Sequence, residues 1–148
     1  MKITIAAIGG GGRGDALEAA AEVYLARLPQ YAQVDARFFR SEQALIESVE
    51  KLRGRTAPVL LLLDSRGKAF TSEEFAAWVG RQRDNGIQHL VFAIGPADGW
   101  SAKARESATL LVSLGAMTLP HELARVVLVE QVYRAFTILA NHPYHGGH

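Results

Sequence analysis

The chain has no cysteine among its 148 residues. Disulfides and thiol catalysis are therefore excluded, and the absence fits a reducing, cytoplasmic setting. Long hydrophobic runs are missing too. Val59 to Leu63 is far too short to span a bilayer, and Ile3 to Ile8 is too short for a signal-peptide core and lacks a cleavage pattern. No membrane partner is expected. Nor does one sign of charge dominate: 16 Lys and Arg against 15 Asp and Glu leave a net charge of +1. With no global basic field, DNA is not an expected partner. RNA contacts would have to rest on local groups such as Arg53, Arg55, Arg66, Lys68, Arg81 and Arg83, which are more often plain solvated surface. Internal repeats, low-complexity segments and linkers are absent, so residues 1–148 are expected to form a single domain, long enough to bury a core.

What is present alternates between strand and helix signals. Lys2 to Ile8 reads as a strand running into the glycines from Gly9, and a helix from about Asp15 to Leu28 carries apolar residues at helical spacing. Val34 to Phe39 is a second strand, and Ser41 caps a helix to about Arg53. Val59 to Leu63 is apolar throughout, as in a strand covered on both faces. Thr71 with Glu74 matches a capping box and Phe70 with Phe75 a hydrophobic staple, opening a helix that ends near Asp84–Gly86. His89 to Ile94 is another buried strand, Ser101 caps a short helix to about Ser107, and Leu110 to Leu114 is the last strand. Pro120 opens a long helix ending near Ala140. Its apolar residues (Leu128, Val132 and Leu139 on one side, Val129, Tyr133, Phe136 and Ala140 on the next) wrap most of the circumference, with Glu130, Arg134, Thr137 and Asn141 forming a polar stripe. Such a helix should be buried on several sides, by the fold or by a second copy of the chain. The pattern predicts an α/β domain with a parallel sheet.

In parallel α/β folds ligands bind beyond the carboxyl ends of the strands, and four loops qualify. Gly9, Gly11 and Gly14 satisfy the dinucleotide pattern G-x-G-x-x-G directly after a strand. Arg40 and Ser41 stand where that pattern expects an acidic residue, which at best suits a 2′-phosphate. A glycine run meets the pattern almost automatically, so a flexible connection is the simpler reading. Asp64, in the loop Leu63–Lys68, is equally a turn residue and a functional carboxylate. Gly95 permits close approach of a flat ligand or a plain turn. The fourth loop is Ser113 to Leu119.

The spacing of these loops, with Leu63-Asp64-x-x-Gly67-Lys68, Phe92-x-Ile94-Gly95-x-x-x-Gly99, Met117-Thr118-Leu119-Pro120-His121, Arg125-Val126, Glu130-Gln131-x-Tyr133-Arg134-Ala135 and the ending Asn141-His142-Pro143-Tyr144-His145, closely resembles the bacterial ribosomal RNA large-subunit methyltransferase H family, of the knotted SPOUT class. The resemblance runs from Met1 to the C-terminus. It implies a homodimer of parallel-sheet α/β/α domains, each with a deep C-terminal trefoil knot. It also implies methyl transfer from S-adenosylmethionine to N3 of a pseudouridine in 23S rRNA of the assembled ribosome. Carried over by position, the cofactor pocket would involve Leu63, Gly95, Leu114, Gly115, Ala116, Met117, Thr118 and Leu119. Pro96 replaces a glycine common in the family, removing a backbone donor, and the glycine run after the first strand is unusual for it.

The acceptor nitrogen is a weakly acidic imide, so a group of near-neutral pKa would help remove its proton. His142 and His145 in the tail are the candidates, with Tyr144 able to pack on a base, and a dimer would let one subunit's tail reach the other's cofactor. Spacing of three between His142, His145 and His148 hints at metal, but Pro143 and the glycines break a regular ligand face and no carboxylate joins them, so no metal is expected. His121 reads as a capping or packing residue, His89 has no role, and Tyr133 and Phe136 read as core or dimer contacts. Two other classes stay open: an NADP-type dinucleotide-binding protein using Gly9–Gly14, and a non-catalytic ribosome-binding module.

Overall fold

A computed structural model of the chain describes residues 1–9, 15–54 and 57–147. Five strands, β1 (Lys2–Ile8), β2 (Gln33–Phe39), β3 (Val59–Ala69), β4 (His89–Ile94) and β5 (Leu110–Ser113), alternate with α1 (Ala16–Leu25), α2 (Glu42–Leu52), α3 (Ser72–Asp84) and α4 (Ala102–Ser107). The chain closes with α5 (His121–Leu139) and a 3-10 turn (Pro143–Gly147). All strand pairings are parallel, in the order β2-β1-β4-β3-β5.

Alternation along the strands divides the core. Ile3, Ile5, Leu61, Leu90, Phe92 and Val112 point to the face covered by α1, α3 and α5. Ala6, Ile8, Leu60, Leu62, Val91 and Ala93 point to the face covered by α2 and α4. Each fully buried large side chain contributes about 1.5–3 kcal/mol of apolar burial. The division also follows from connection hand. In the strand order, β1 to β2 and β3 to β4 step one way and use the first face; β2 to β3 and β4 to β5 step the other way and use the second. This is the pattern a single crossover hand requires.

Local signals set the helix starts. Ser41, Thr71 and Ser101 each accept the amide three residues on, and Glu74 closes the capping box by accepting from the Thr71 amide. Phe70 and Phe75 meet with ring centroids 6.1 Å apart. Ser101 also hydrogen-bonds Glu42 through both its amide and its hydroxyl, tying α4 to α2.

Helix α5 is covered on several sides, as its apolar circumference predicts. The cover is intramolecular: it packs against both α1 and α3, and Leu128, Val129, Val132, Tyr133 and Phe136 are buried. Tyr133 and Phe136 join Tyr24 and Tyr31 in an aromatic cluster. The predicted polar stripe needs correction at Thr137, which is wholly buried and spends its hydroxyl on the Arg134 carbonyl, 2.6 Å away. Asn141 is likewise no part of a helical stripe. It sits just past the helix in the left-handed region (φ 56°), where asparagine is tolerated, and the next amide, that of His142, returns to the Thr137 carbonyl.

A second correction concerns residues 64–68, read from sequence as a loop. β3 continues through them to Ala69. It leaves β5 after Leu63 and rejoins at Lys68, so that Val112 lies opposite both. At Gly67 the two chains nearly touch: a Cβ there would lie 2.5 Å from the Leu111 carbonyl carbon and from the Val112 amide nitrogen. Gly67→Ala should therefore lower stability by roughly 1–3 kcal/mol or more, measured by urea denaturation, because the obstruction is backbone and cannot rotate away. A melt unchanged from the parent would refute this contact.

His89, which has no role in the sequence reading, takes a structural one. Thr4 donates to Asp35 at 2.6 Å, and the His89 Nε2 lies 2.8 Å from the same hydroxyl, linking β2, β1 and β4. With the Thr4 proton given to Asp35, neutral His89 supplies its own Nε2–H. Burial holds the imidazole below its ordinary value, the neighbouring Lys2 adds to this, and Asp35 opposes it. A base whose folded pKa is depressed is bound by more protons when unfolded. Its contribution to stability is present above its unfolded pKa of about 6.5 and is lost as pH falls below it. Urea midpoints should drop from pH 7.5 to pH 5.5 (assay conditions), and the part of that drop due to this site should vanish in His89→Gln. An identical pH profile for the variant would rule it out.

Candidate functional site

A cleft of about 930 Å³ lies at the irregular stretch of β3 after Leu63 and beyond the carboxyl ends of β4 and β5. Its position follows from topology. β3 and β4 send their crossovers in opposite directions over opposite faces, leaving a crevice where their ends part. The walls are residues 63–66, residues 94–100 and residues 112–121, joined by Arg105 and Ala124. All eight residues expected in the cofactor pocket line this cleft: Leu63, Gly95, Leu114, Gly115, Ala116, Met117, Thr118 and Leu119.

The wall from β3 is held by α4. The Leu63 carbonyl accepts the Trp100 indole N–H at 2.8 Å. Asp64 accepts from Arg105 Nε at 2.8 Å and from the Arg66 amide at 2.8 Å, and its side chain is almost fully buried. Burial opposes ionisation of Asp64, but the Arg105 and Arg66 hydrogen bonds outweigh it and hold the carboxyl below its usual value. Of the two sequence readings of Asp64, turn residue or functional carboxylate, the geometry gives an ion-paired anchor with an Asx-type turn.

In the β4 wall Gly95 lines the cleft and also answers a constraint from behind it. A Cβ at Gly95 would lie 2.7 Å from Trp100 Cε2 and 2.8 Å from its Nε1, so the space a side chain would take is filled by the indole. Trp100 itself is buried, and the sequence reading missed it. The available signal was a glycine at a strand end followed five positions on by a tryptophan, but that spacing has meaning only once the turn closed by the Gly99 amide and the Pro96 carbonyl is known.

The third wall, residues 114–120, has no regular secondary structure. Ser113 folds it over, accepting the Gly115 amide at 3.1 Å and donating to the Gly115 carbonyl at 3.0 Å. Gly115 has φ 133°, a conformation side chains strain to adopt, although a Cβ there would meet no protein atom within 4 Å. Among the described residues, the amides of Ala116, Met117, Thr118 and Leu119 make no hydrogen bond, and Met117 is 88% exposed. The cap of α5 is Pro120, which provides no side-chain bond to the first turn, and His121 also lines the cleft. Unpaired backbone donors beside apolar Leu63, Leu114 and Leu119 suit a ligand with a flat heteroaromatic edge and a polar tail.

The tail residues are elsewhere. Pro143–Gly147 folds back along α5 as far as Glu130, and none of its residues lines the cleft. Tyr144 meets Tyr133 edge-on at 4.8 Å and donates to Glu130 at 3.0 Å. Arg134 forks onto the same carboxylate at 3.1 and 2.7 Å and lies over the Tyr144 ring. Burial, then the Glu130 hydrogen bond, raises the Tyr144 phenol well above its ordinary value. In one chain Tyr144 is therefore an anchor. His142 is exposed and accepts the Tyr144 amide through Nδ1, while His145 Nδ1 is buried with no partner among the described residues. The cleft and the tail trio are not brought together within the chain.

Other sequence candidates disperse. Arg66 alone of the basic group lines the cleft; Arg53 pairs with Glu50, Arg83 with Asp84, and Lys68 lies over Phe70. Arg55, residues 10–14 of the glycine run and His148 lie outside the described residues. Among those described, no group of three His, Asp or Glu is placed to hold a metal, and no helix is long and apolar enough to cross a membrane.

Comparison with known proteins places this architecture. A family model described as "Predicted SPOUT methyltransferase" matches residues 1–145. A ribosomal RNA large subunit methyltransferase H of Koribacter versatilis is 56% identical over 125 residues, covering 84% of this chain and 85% of the relative. One from Geobacter sulfurreducens is 42% identical over 131 residues, covering 82% and 85%. Two solved structures share the fold at low identity. A probable methylase family protein from Haemophilus influenzae has a TM-score of 0.59 at 10% identity, covering 97% of this chain and 70% of that one. The SpoU methyltransferase AviRb from Streptomyces viridochromogenes has 0.53 at 13%, covering 95% and 60%. On the family match and on two relatives aligned over most of both lengths, the chain belongs to the SPOUT methyltransferase family, in its ribosomal RNA large-subunit methyltransferase H branch.

Proposed function

We propose that the cleft binds S-adenosylmethionine and that the protein methylates N3 of a pseudouridine in 23S rRNA of the assembled ribosome. The observation that carries this reading is the convergence on one cleft of all eight expected cofactor residues, where the amides of Ala116 to Leu119 have no partner among the described residues. The cofactor supplies an activated methyl on a sulfonium sulfur. The chain's part is to hold it: the 116–119 amides donate, Leu63, Leu114 and Leu119 give apolar walls, and both exclude water from the transfer path. The acceptor imide must give up its proton, and His142 or His145 takes it, with Tyr144 packing near the base.

Because no tail residue lines the cleft of its own chain, that proton acceptor comes from a second copy. A homodimer follows as part of the same proposal. Its support is the separation of tail and cleft within one chain and the half-buried flank of α5 around Leu123, Ala124, Val126 and Val127, adjoining the cleft. The trefoil knot is proposed on the same footing, on the match to the SPOUT family over residues 1–145.

Two variants test this. Gly115→Val should weaken S-adenosylmethionine binding in calorimetry by about tenfold or more, roughly 1.4 kcal/mol. The melting temperature should fall only modestly, because the strain of valine at φ 133° falls on a loop with no regular secondary structure, and affinity is compared at a temperature where both proteins are folded. Equal affinity would remove the loop from the site. Deleting Pro143 to His148 should abolish transfer of labelled methyl to ribosomes from a strain lacking the protein, while cofactor binding and a dimeric mass by light scattering persist. Normal methylation by the truncated chain would end the tail's catalytic assignment.

A further inference from the structure

We propose that Trp100 is a positioning residue for methyl transfer: it sets the separation of the two cleft walls without touching the ligand. The proposal rests on the functional reading above. Trp100 meets both walls at once. Its Nε1–H is given to the Leu63 carbonyl on the β3 side, and its ring fills the space that a side chain at Gly95 would need on the β4 side. It is only 4% exposed, so its ring is held by the core between the sheet and α4. Its anchorage is reinforced from both sides in sequence. Ser101 caps α4 and hydrogen-bonds Glu42 of α2, and Arg105, one turn into α4, pairs with Asp64. Consecutive residues of the β3 wall, Leu63 and Asp64, are thus fixed by two residues of one short segment.

Two consequences follow. With its carbonyl committed to Trp100, Leu63 offers the cleft an apolar side chain, and the hydrogen-bonding recognition falls to the 116–119 amides. And Gly95 is glycine on account of Trp100: a side chain there would displace the indole and, through it, Leu63. In-line transfer is sensitive to displacements of about 1 Å, which can cost as much as ~10²-fold in rate. Loss of this spacer should therefore appear more in kcat than in cofactor affinity.

The test is a mutant cycle on the full-length protein, read by S-adenosylmethionine calorimetry, methyl transfer to unmodified ribosomes and thermal melts. Trp100→Phe keeps a ring but removes the N–H. It should lower kcat about tenfold, with the dissociation constant and the KM for S-adenosylmethionine changed by less than about threefold and with a cooperative melt. Gly95→Ala should cost most of the activity in the wild-type background and little further activity when added to Trp100→Leu, because the clash is then gone. Wild-type kcat in Trp100→Phe, or an equal cost of Gly95→Ala in both backgrounds, overturns the proposal; the latter would place Gly95 against the ligand. Should Trp100→Phe fail to fold, the Gly95 comparison decides alone. A wild-type chain that gives no binding signal with S-adenosylmethionine overturns the functional reading, and the proposal with it.

Discussion

The carboxyl end of the sheet depends on one close backbone contact, Gly67 against Leu111 and Val112. Because β3 bows away from β5 after Leu63 and returns at Lys68, Val112 is paired twice and the intervening residues are turned outward into the cleft wall. Only a residue without a side chain allows the return. From this follow the burial of Asp64, its capture by Arg105, and the exposure of Arg66 on the cleft. The short strand β5 is held at both of its ends by β3, and so directs the chain into the 114–120 loop from a fixed point. A cleft whose third wall is irregular backbone needs such a fixed origin, since the loop itself has few internal hydrogen bonds to define its path.

Much of the frame was legible because it is encoded locally. The capping residues Ser41, Thr71 and Ser101 occupy the positions their side-chain chemistry predicts, since a cap involves only the next three residues. Strands β1 and β4 run from Lys2 to Ile8 and from His89 to Ile94, as their apolar runs indicate. What could not be read depends on contacts distant in sequence. The extension of β3 through charged and small residues is imposed by β5, more than forty positions later, against the local turn signals. Thr137 looks polar on a helical wheel, yet its hydroxyl is satisfied by the preceding turn, so burial costs it little. The spacing of Gly95 and Trp100 could not be interpreted in advance, because its meaning lies in the missing Cβ of Gly95. Apolar excess on α5 was readable, but not which surface covers it. α1 and α3 do so within the chain, which weakens the composition of that helix as evidence for a second copy.

The case for a second copy therefore shifts from hydrophobicity to geometry. Tyr144, Glu130, Arg134 and Tyr133 clamp the tail back onto the middle of α5 through hydrogen bonds, an ion pair and ring packing at once. Such a network is stronger than its separate members when all are satisfied. Helix α5 is a rigid rod with cleft residues at its start and the tail packed along its second half, and within one chain the two do not meet. Two copies related by a two-fold axis, with their rods crossing antiparallel, would bring each end beside the other's beginning, and the same operation would complete both sites. Such a pair would make two chains the catalytic unit. Tyr144, its phenol pKa raised by burial and its hydroxyl hydrogen-bonded to Glu130, then acts as the pin of the tail, and its backbone amide, accepted by His142 Nδ1, fixes that imidazole in turn.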